Sequence, residues 1–373
     1  MAFGALYLPL LADFPQGRGR VAGVQSMLSL LGGLGSPLVG FFLDRLGPCR
    51  LFQWGAVVAA VGLAWASQAQ RLETLFFTYG IIAGLGLAAL GSAPNMVVAA
   101  QWFPEGRGRA IALADLGTAL GAFLLVPLTQ LLIQRWGWRG ALLVLAELLL
   151  LVVPVNAFQR VPLDRTDRSL HPTPARNPGT LREAAHSAPF WWLLILRFAS
   201  GVGFHLINVH VIALAVGRGV PPLQAAAALG AVSLVSLAGR MTVGWLADRI
   251  GREVTLTLSY ASALLGVGAL FLLHVSGWPG WLTFFVLVYG LAQGSAGIIS
   301  SAKAADLFAG PRLGTVFGWI ALASGPGEAV GVWGGGAIFD LTGSYLLALG
   351  LSAISLGVGV LAIWMASGRR SLQ

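Results

Sequence analysis

Charge is what this chain has least of. Only 10% of its 373 residues are charged, 57% are hydrophobic and the mean hydropathy is +0.80, whereas soluble domains carry about 25% charged residues. That scarcity excludes an ordinary soluble domain. A single cysteine, Cys49, excludes an intrachain disulfide. The only lysine, Lys303, is followed by Ala304, so no glycine-rich phosphate loop ending in Lys-Ser/Thr exists. No histidine pair has zinc spacing and no Gly-x-Ser-x-Gly elbow occurs. The run GLGLAALG at 84–91 lies inside an apolar stretch, where small residues serve close helix packing rather than a nucleotide. We therefore expect neither an enzyme nor a cofactor or metal. The net charge of +9 is spread over short polar breaks, without a basic helix or RNA-binding motif, which argues against nucleic acid as a partner.

What fills the chain is a series of long apolar runs, each near the roughly 20 residues that a helix needs to cross about 30 Å of hydrocarbon. Lipid offers no partner for backbone groups, and the polar alternation of a closed barrel is absent, so the runs must be helical. The breaks predict spans near 1–12, 20–43, 52–70, 75–101, 109–133, 139–158, 190–216, 222–246, 253–274, 280–306, 313–339 and 344–366. That is eleven full spans and a stub. The opening MAFGALYLPLLADF lacks the basic start and cleavage site of a secretory signal and reads as the end of a helix. Placing the loop at 44–50 in the cytoplasm puts fourteen arginines, from Arg45 to Arg370, on that side and six on the other (Arg18, Arg20, Arg71, Arg135, Arg139, Arg218). This follows the positive-inside rule. The expected location is the bacterial cytoplasmic (inner) membrane, with the 159–189 linker and the C-terminus inside.

GFFLDRLGPCR at 40–50 and GWLADRIGRE at 244–253 write one pattern twice, about 204 residues apart. At the same offset RGRAIALADLGTALG matches RLGTVFGWIALASG, and WGWRGALLVL matches LTGSYLLALG. Both copies put their charged loop on one membrane side, which requires an even number of helices per repeat. The expected fold is an all-α polytopic membrane protein: two six-helix bundles related by a parallel repeat, over 1–158 and 190–373, joined by the polar, Pro- and Arg-containing linker 159–189. The alignment sets Met1 opposite His205, so the first helix is short by about 15 residues, and a start codon assigned too late is favoured over truncation.

Gly40-x-x-x-Asp44-Arg45-x-Gly and Gly244-x-x-x-Asp248-Arg249-x-Gly resemble the loop signature of the major facilitator superfamily. AAQWFPEGRGRAIALADLGTALG, GWR, ADLFAGPRLGTVFG and FDLTGSY, in that order, are similar to bacterial relatives of the monocarboxylate transporters and oxalate/formate exchangers. A role for the aspartates follows from physics alone. A helix start carries partial positive charge and stabilises a nearby carboxylate by about 0.3–1 kcal/mol. Asp44 is placed to meet the start of the eleventh span and Asp248 that of the fifth, latching the cytoplasmic end shut in an outward-facing state. Arg45 and Arg249, with Arg50 and Arg252, serve equally well as topology markers.

Three cations fall inside spans: Arg197, Arg240 and Lys303. A buried ion is by default a functional hypothesis. Arg240 lies eight residues before Asp248, about 12 Å in. The resemblance implies that Arg240, in SLAGRMTVGW, binds the substrate carboxylate, a task that suits its planar fork. The aspartate that eukaryotic members carry four residues earlier is Ser236 here, which puts the usual proton-coupling pair in doubt. The competing reading pairs Arg240 with another intramembrane acid. In the seventh span Arg197, Ser200, Gly201, His205 and Asn208 run along one face, with His210 on a neighbouring one. The resemblance puts His210 beside Arg240, chemistry alone admits His205 equally, and either histidine serves as well in packing. Arg197 is expected to snorkel toward headgroups. Asn95, after Pro94, and Tyr289 are further candidates for cargo contact. Lys303 is expected to pair with Asp306. Among the intramembrane acids Asp115, Glu147 and Glu328, the first and last are candidates for proton coupling, and Glu328 is the better, set within SGPGEAVG at mid-span. Its competing role is a pair with Arg240. The expected function is secondary transport of a small organic monoanion, with proton symport favoured over anion exchange. The alternatives are proton-driven drug efflux and a non-transporting sensor on the same fold.

Overall fold

The computed structural model describes residues 2–91, 94–95, 107–157, 184–308 and 313–367. The described residues are all-α, with no strand among them. Helices α1 (Phe3–Asp13), α2 (Arg18–Leu46), α3 (Pro48–Ala66) and α4 (Leu72–Ala89) are followed by α5 (Arg107–Leu150) and the short α6 (Val152–Ala157). After the expected linker, most of which lies outside the described residues, come α7 (Ala188–Val216), α8 (Pro222–Ile250), α9 (Arg252–Ser276), α10 (Gly280–Ala292), α11 (Ser295–Leu307), α12 (Leu313–Leu322), α13 (Ser324–Thr342) and α14 (Leu346–Ala366). Among the described residues, eight helical stretches are long and apolar enough to cross a membrane. Exposed Trp54, Trp65, Trp245, Trp333 and Trp364 give the bundle an apolar outer surface, as lipid contact requires.

The repeated loop signature acquires a backbone reason. Its closing glycines, Gly47 and Gly251, have φ of 76° and 91° and join α2 to α3 and α8 to α9 without any further loop residue. A side chain at such a φ would be strained, so glycine is needed at both copies. Several spans depart from the expected continuity. The tenth is broken at Gln293–Gly294, where Gln293 is extended and Gly294 left-handed with φ of 94°. The eleventh is divided at Ala323 into α12 and α13. The fifth and sixth run together as α5, turned only at Gly137, with φ of 68°. A π-helical stretch, Phe76–Ala83, lies within α4.

The two parts of the chain meet along α2 against α13, α5 against α8 and α1 against α7. Helix α13 is wedged between α2 and α7, and its glycines make this possible. A Cβ on Gly325 would sit 2.7 Å from the Gly33 Cα, and one on Gly331 would sit 2.3 Å from the Val202 carbonyl oxygen. Side chains are excluded at these two contacts, so the backbones approach directly there.

The seam is closed at one end. Asp340, near the end of α13, accepts hydrogen bonds from the Arg18 and Gly19 backbone N–H groups at 2.7 Å each. Further along, Ser26 Oγ donates to the Ala329 carbonyl at 2.8 Å. At this same end the Asp13 carboxylate accepts bonds from Trp138 Nε1 and Arg139 Nη1, tying α1 to the turn in α5.

The other end carries the loop signatures. Arg252 links Asp248 (Nη1 to Oδ1, 2.8 Å) to Asp306 (Nε to Oδ2, 3.1 Å), while Lys303 pairs with Glu253. The expected Lys303–Asp306 pair is thus replaced by two longer-range ones. Glu253 stands at the start of α9, facing Lys303 on α11, and Arg252 takes Asp306 instead. Asp248 is exposed and held by a residue of its own repeat. The Asp44 side chain, the Gly40 position, residues 309–312 and the side chains of 107–115 lie outside the described residues, and with them the partners expected of both latches.

Candidate functional cavity

A cavity of about 580 Å³ occupies the seam beyond its sealed end. It is walled by Phe3 of α1, by Gln25, Ser29, Val39 and Leu43 of α2, by Gly84, Leu87 and Ala88 of α4, and by residues of α7 and α13. It reaches Val39 and Leu43, near the Asp44 end, while Arg18 and Asp340 close the opposite one. Most of the wall is apolar. The exceptions are Gln25 and Ser29 of α2, Arg197, His205 and Asn208 of α7, and Ser324 and Glu328 of α13, so the ionisable ones all lie on α7 and α13.

The close approach of α7 and α13 brings these groups together. A Cβ on Gly201 would lie 2.9 Å from the Glu328 backbone nitrogen, so only a glycine there lets α13 present its carboxylate to α7. Glu328 Oε2 then stands 3.3 Å from His205 Nε2. Arg197 is close enough to Glu328 for the two charges to interact. Asn208 is buried at 3% exposure, and its side-chain oxygen has no hydrogen-bond partner. Buried amides are ordinarily satisfied, so this oxygen has capacity left to accept one hydrogen bond. The arrangement offers a cation, a carboxylate with a histidine on it, and a spare amide in apolar surroundings. Such a wall can hold a small anion and a proton.

The expected site residues divide. His205, Asn208 and Glu328 are in the wall. Arg197 is there too, and its expected snorkelling is corrected: it lies nine residues into α7, about 14 Å from the helix start, and turns toward the cavity instead of the headgroups. His210 is outside the wall. Its Nε2–H donates to the Val332 carbonyl at 2.9 Å and Tyr7 meets its ring edge-on, which makes it a packing residue of the seam. Tyr289 is fully buried, donates to the Phe204 carbonyl at 3.1 Å and stacks on Phe285. Asn95 donates to the carbonyls of Leu90 and Gly91, the first of which is the group four residues back that Pro94, without an N–H, cannot serve; Pro94, not Asn95, borders the cavity.

Arg240 is also outside the wall. Its guanidinium lies against the break in the tenth span, where a Cβ on Gly294 would meet its Nε at 2.6 Å. Here the last carbonyls of α10 end a helix, and a helix end favours a cation. Glu147 is exposed on the outer surface, and the Asp115 side chain lies outside the described residues. Two placements were not expected from the sequence, that of Arg197 in the wall and that of Asp340 at the sealed end. The phase of α7 was the available indication for the first; nothing local marked the second.

The family profile described as Major Facilitator Superfamily matches residues 1–332. Monocarboxylate transporter 13 of Rattus norvegicus is 28% identical over 344 residues, covering 92% of this chain and 79% of that protein. Monocarboxylate transporter 3 of the same species is 29% identical over 351 residues, covering 92% and 71%. Human monocarboxylate transporter 11 is 31% identical over 268 residues, covering 70% and 56%.

Proposed function

From the premise that this chain belongs to the Major Facilitator Superfamily, we propose that it carries a small organic anion of the monocarboxylate type, together with a proton, by alternating access. Similarity to transporters named for monocarboxylates supports the cargo class. The observation that carries the reading is Arg197 in the wall of a largely apolar cavity, with Glu328 beside it. Ionised, Glu328 compensates Arg197 and leaves no net charge for an anion. Protonated, it releases the guanidinium to a carboxylate, and the loaded cavity is again neutral. A monoanion and a proton therefore enter together, since either alone leaves an uncompensated charge in low dielectric. His205, on the Glu328 carboxylate, is the proton's alternative seat. With the positive-inside assignment, the Asp44 end is cytoplasmic and this conformation faces inward. The membrane is then the bacterial inner membrane, and a counter-anion is the proton's substitute should exchange operate.

The test is uptake of labelled lactate, pyruvate, formate and oxalate into proteoliposomes under an imposed pH gradient. Arg197→Gln is expected to lower the initial rate by about ten- to hundredfold, the loss of a charged hydrogen bond worth roughly 1.5–3 kcal/mol. Arg240→Gln, acting through the tenth span, is expected to cost less. Native-rate uptake by Arg197→Gln would overturn the assignment.

A further inference from the structure

The sealed end of the seam holds a set of contacts that the cavity does not use. Asp340 receives two backbone N–H groups from the first turn of α2, on the other side of the seam. Gly17, with φ of 96°, precedes that turn, and a Cβ there would lie 3.0 Å from Asp340 Oδ2. A glycine is thus what admits the carboxylate to the helix start. The Arg18 side chain answers in the opposite direction: its guanidinium lies 3.7 Å over the Phe339 ring and donates to Tyr345 Oη at 2.6 Å. Tyr7 of α1 donates to the Arg18 carbonyl at 3.0 Å, and Tyr345 reaches His210 Nδ1 at 3.4 Å.

We propose that Asp340 is the gate of the sealed end: a carboxylate that caps α2 from across the seam and must let go before the cavity can open that way. Four of the first N–H groups of any helix lack partners within it. Two of those in α2 are satisfied only while α13 is docked. A charged acceptor on a helix start combines hydrogen bonding with the helix dipole, and separation forfeits both. In the alignment of WGWRGALLVL with LTGSYLLALG the position one repeat earlier than Asp340 is Arg135, so no acid stands there to cap the start of α8 and the gate is one-sided.

The proposal rests on alternating access but not on the cargo, and it is tested without substrate. In a Cys49→Ser background, Ser324→Cys places a single thiol in the cavity wall. A membrane-impermeant thiosulfonate is applied to intact cells and, separately, to inverted vesicles. With Asp340 present, labelling is expected from the Asp44 face. In Asp340→Ala the rate from the Arg18 face is expected to rise about tenfold while the rate from the Asp44 face falls, the shift that loss of a charge-assisted pair gives a two-state equilibrium. Asp340→Asn should lie between, and Asp340→Glu nearer the parent. Arg18→Gln, which keeps the backbone N–H groups but loses the ring and Tyr345 contacts, should give a smaller shift of the same sign. If Asp340→Ala does not reach the membrane folded, the Asn and Arg18 variants carry the same readout. Unchanged rates from both faces in the folded variants would overturn the gate. That result leaves the anion reading standing, just as normal uptake by Arg197→Gln leaves the gate standing.

Discussion

Two residues in α7 show how far a side chain's role could be read in advance. Taking Arg197 as the origin, His205 and Asn208 fall roughly 80° and 20° around the helix, and His210 roughly 220°. The structure follows that phase, with the first three in the wall and His210 turned to Val332 and Tyr345. Resemblance and helix phase therefore pointed to different histidines, and phase agreed with the packing. Arg240 is the reverse case. Its depth was legible, but its neighbour was not, because nothing in SLAGRMTVGW reveals that Gly294 will stand against it. At this scale the consequence of the Glu328–His205 contact is a separation of two activities. Glu328→Gln carries a fixed neutral group where the proton would go, so pH-gradient-driven accumulation should vanish. Exchange of labelled for unlabelled anion, in which the loaded carrier shuttles without releasing its proton, should remain at about the parent rate. A variant that still accumulates cargo would remove Glu328 from coupling.

Among the elements, the spans were legible as apolar runs and their breaks were not. Gly334, Gly335 and Gly336 stand in succession yet remain inside α13, because Gly335 lies against Leu206 and His210 of α7 and Gly336 against Arg18 and Gly19 of α2, so the helix is held on both sides. Gly294, a single glycine, interrupts its span. Composition could not separate these cases, since the outcome depends on what lies opposite. The break makes a prediction of its own. Gly294→Ala puts a side chain at φ of 94° and drives it into the Arg240 guanidinium. The left-handed conformation alone costs roughly 1–2 kcal/mol. A lower midpoint of thermal unfolding in detergent is expected, larger than for Gly268→Ala, which meets nothing within 4 Å. Equal midpoints would mean that the break yields without cost.

Across the whole molecule, the parallel repeat was readable from its punctuation, and Gly47 and Gly251 show the same turn in both copies. Which end would be closed was not readable, because a repeat describes both conformations equally. The α2–α13 crossing at Gly33 and Gly325 bears on that choice. A methyl added at Gly33 would press on the Gly325 backbone at 2.7 Å, so Gly33→Ala should wedge the seam and raise labelling of the Ser324→Cys reporter from the Arg18 face. An unaltered rate would show that the helices shift without parting.

The smoothness of that seam has a mechanical meaning. Where glycine meets backbone along it, the halves can slide apart as a bearing does, meeting little friction at those points. Resistance is then concentrated at the rim, where one carboxylate grips one helix start, and the timing of each cycle is set there and not along the shaft.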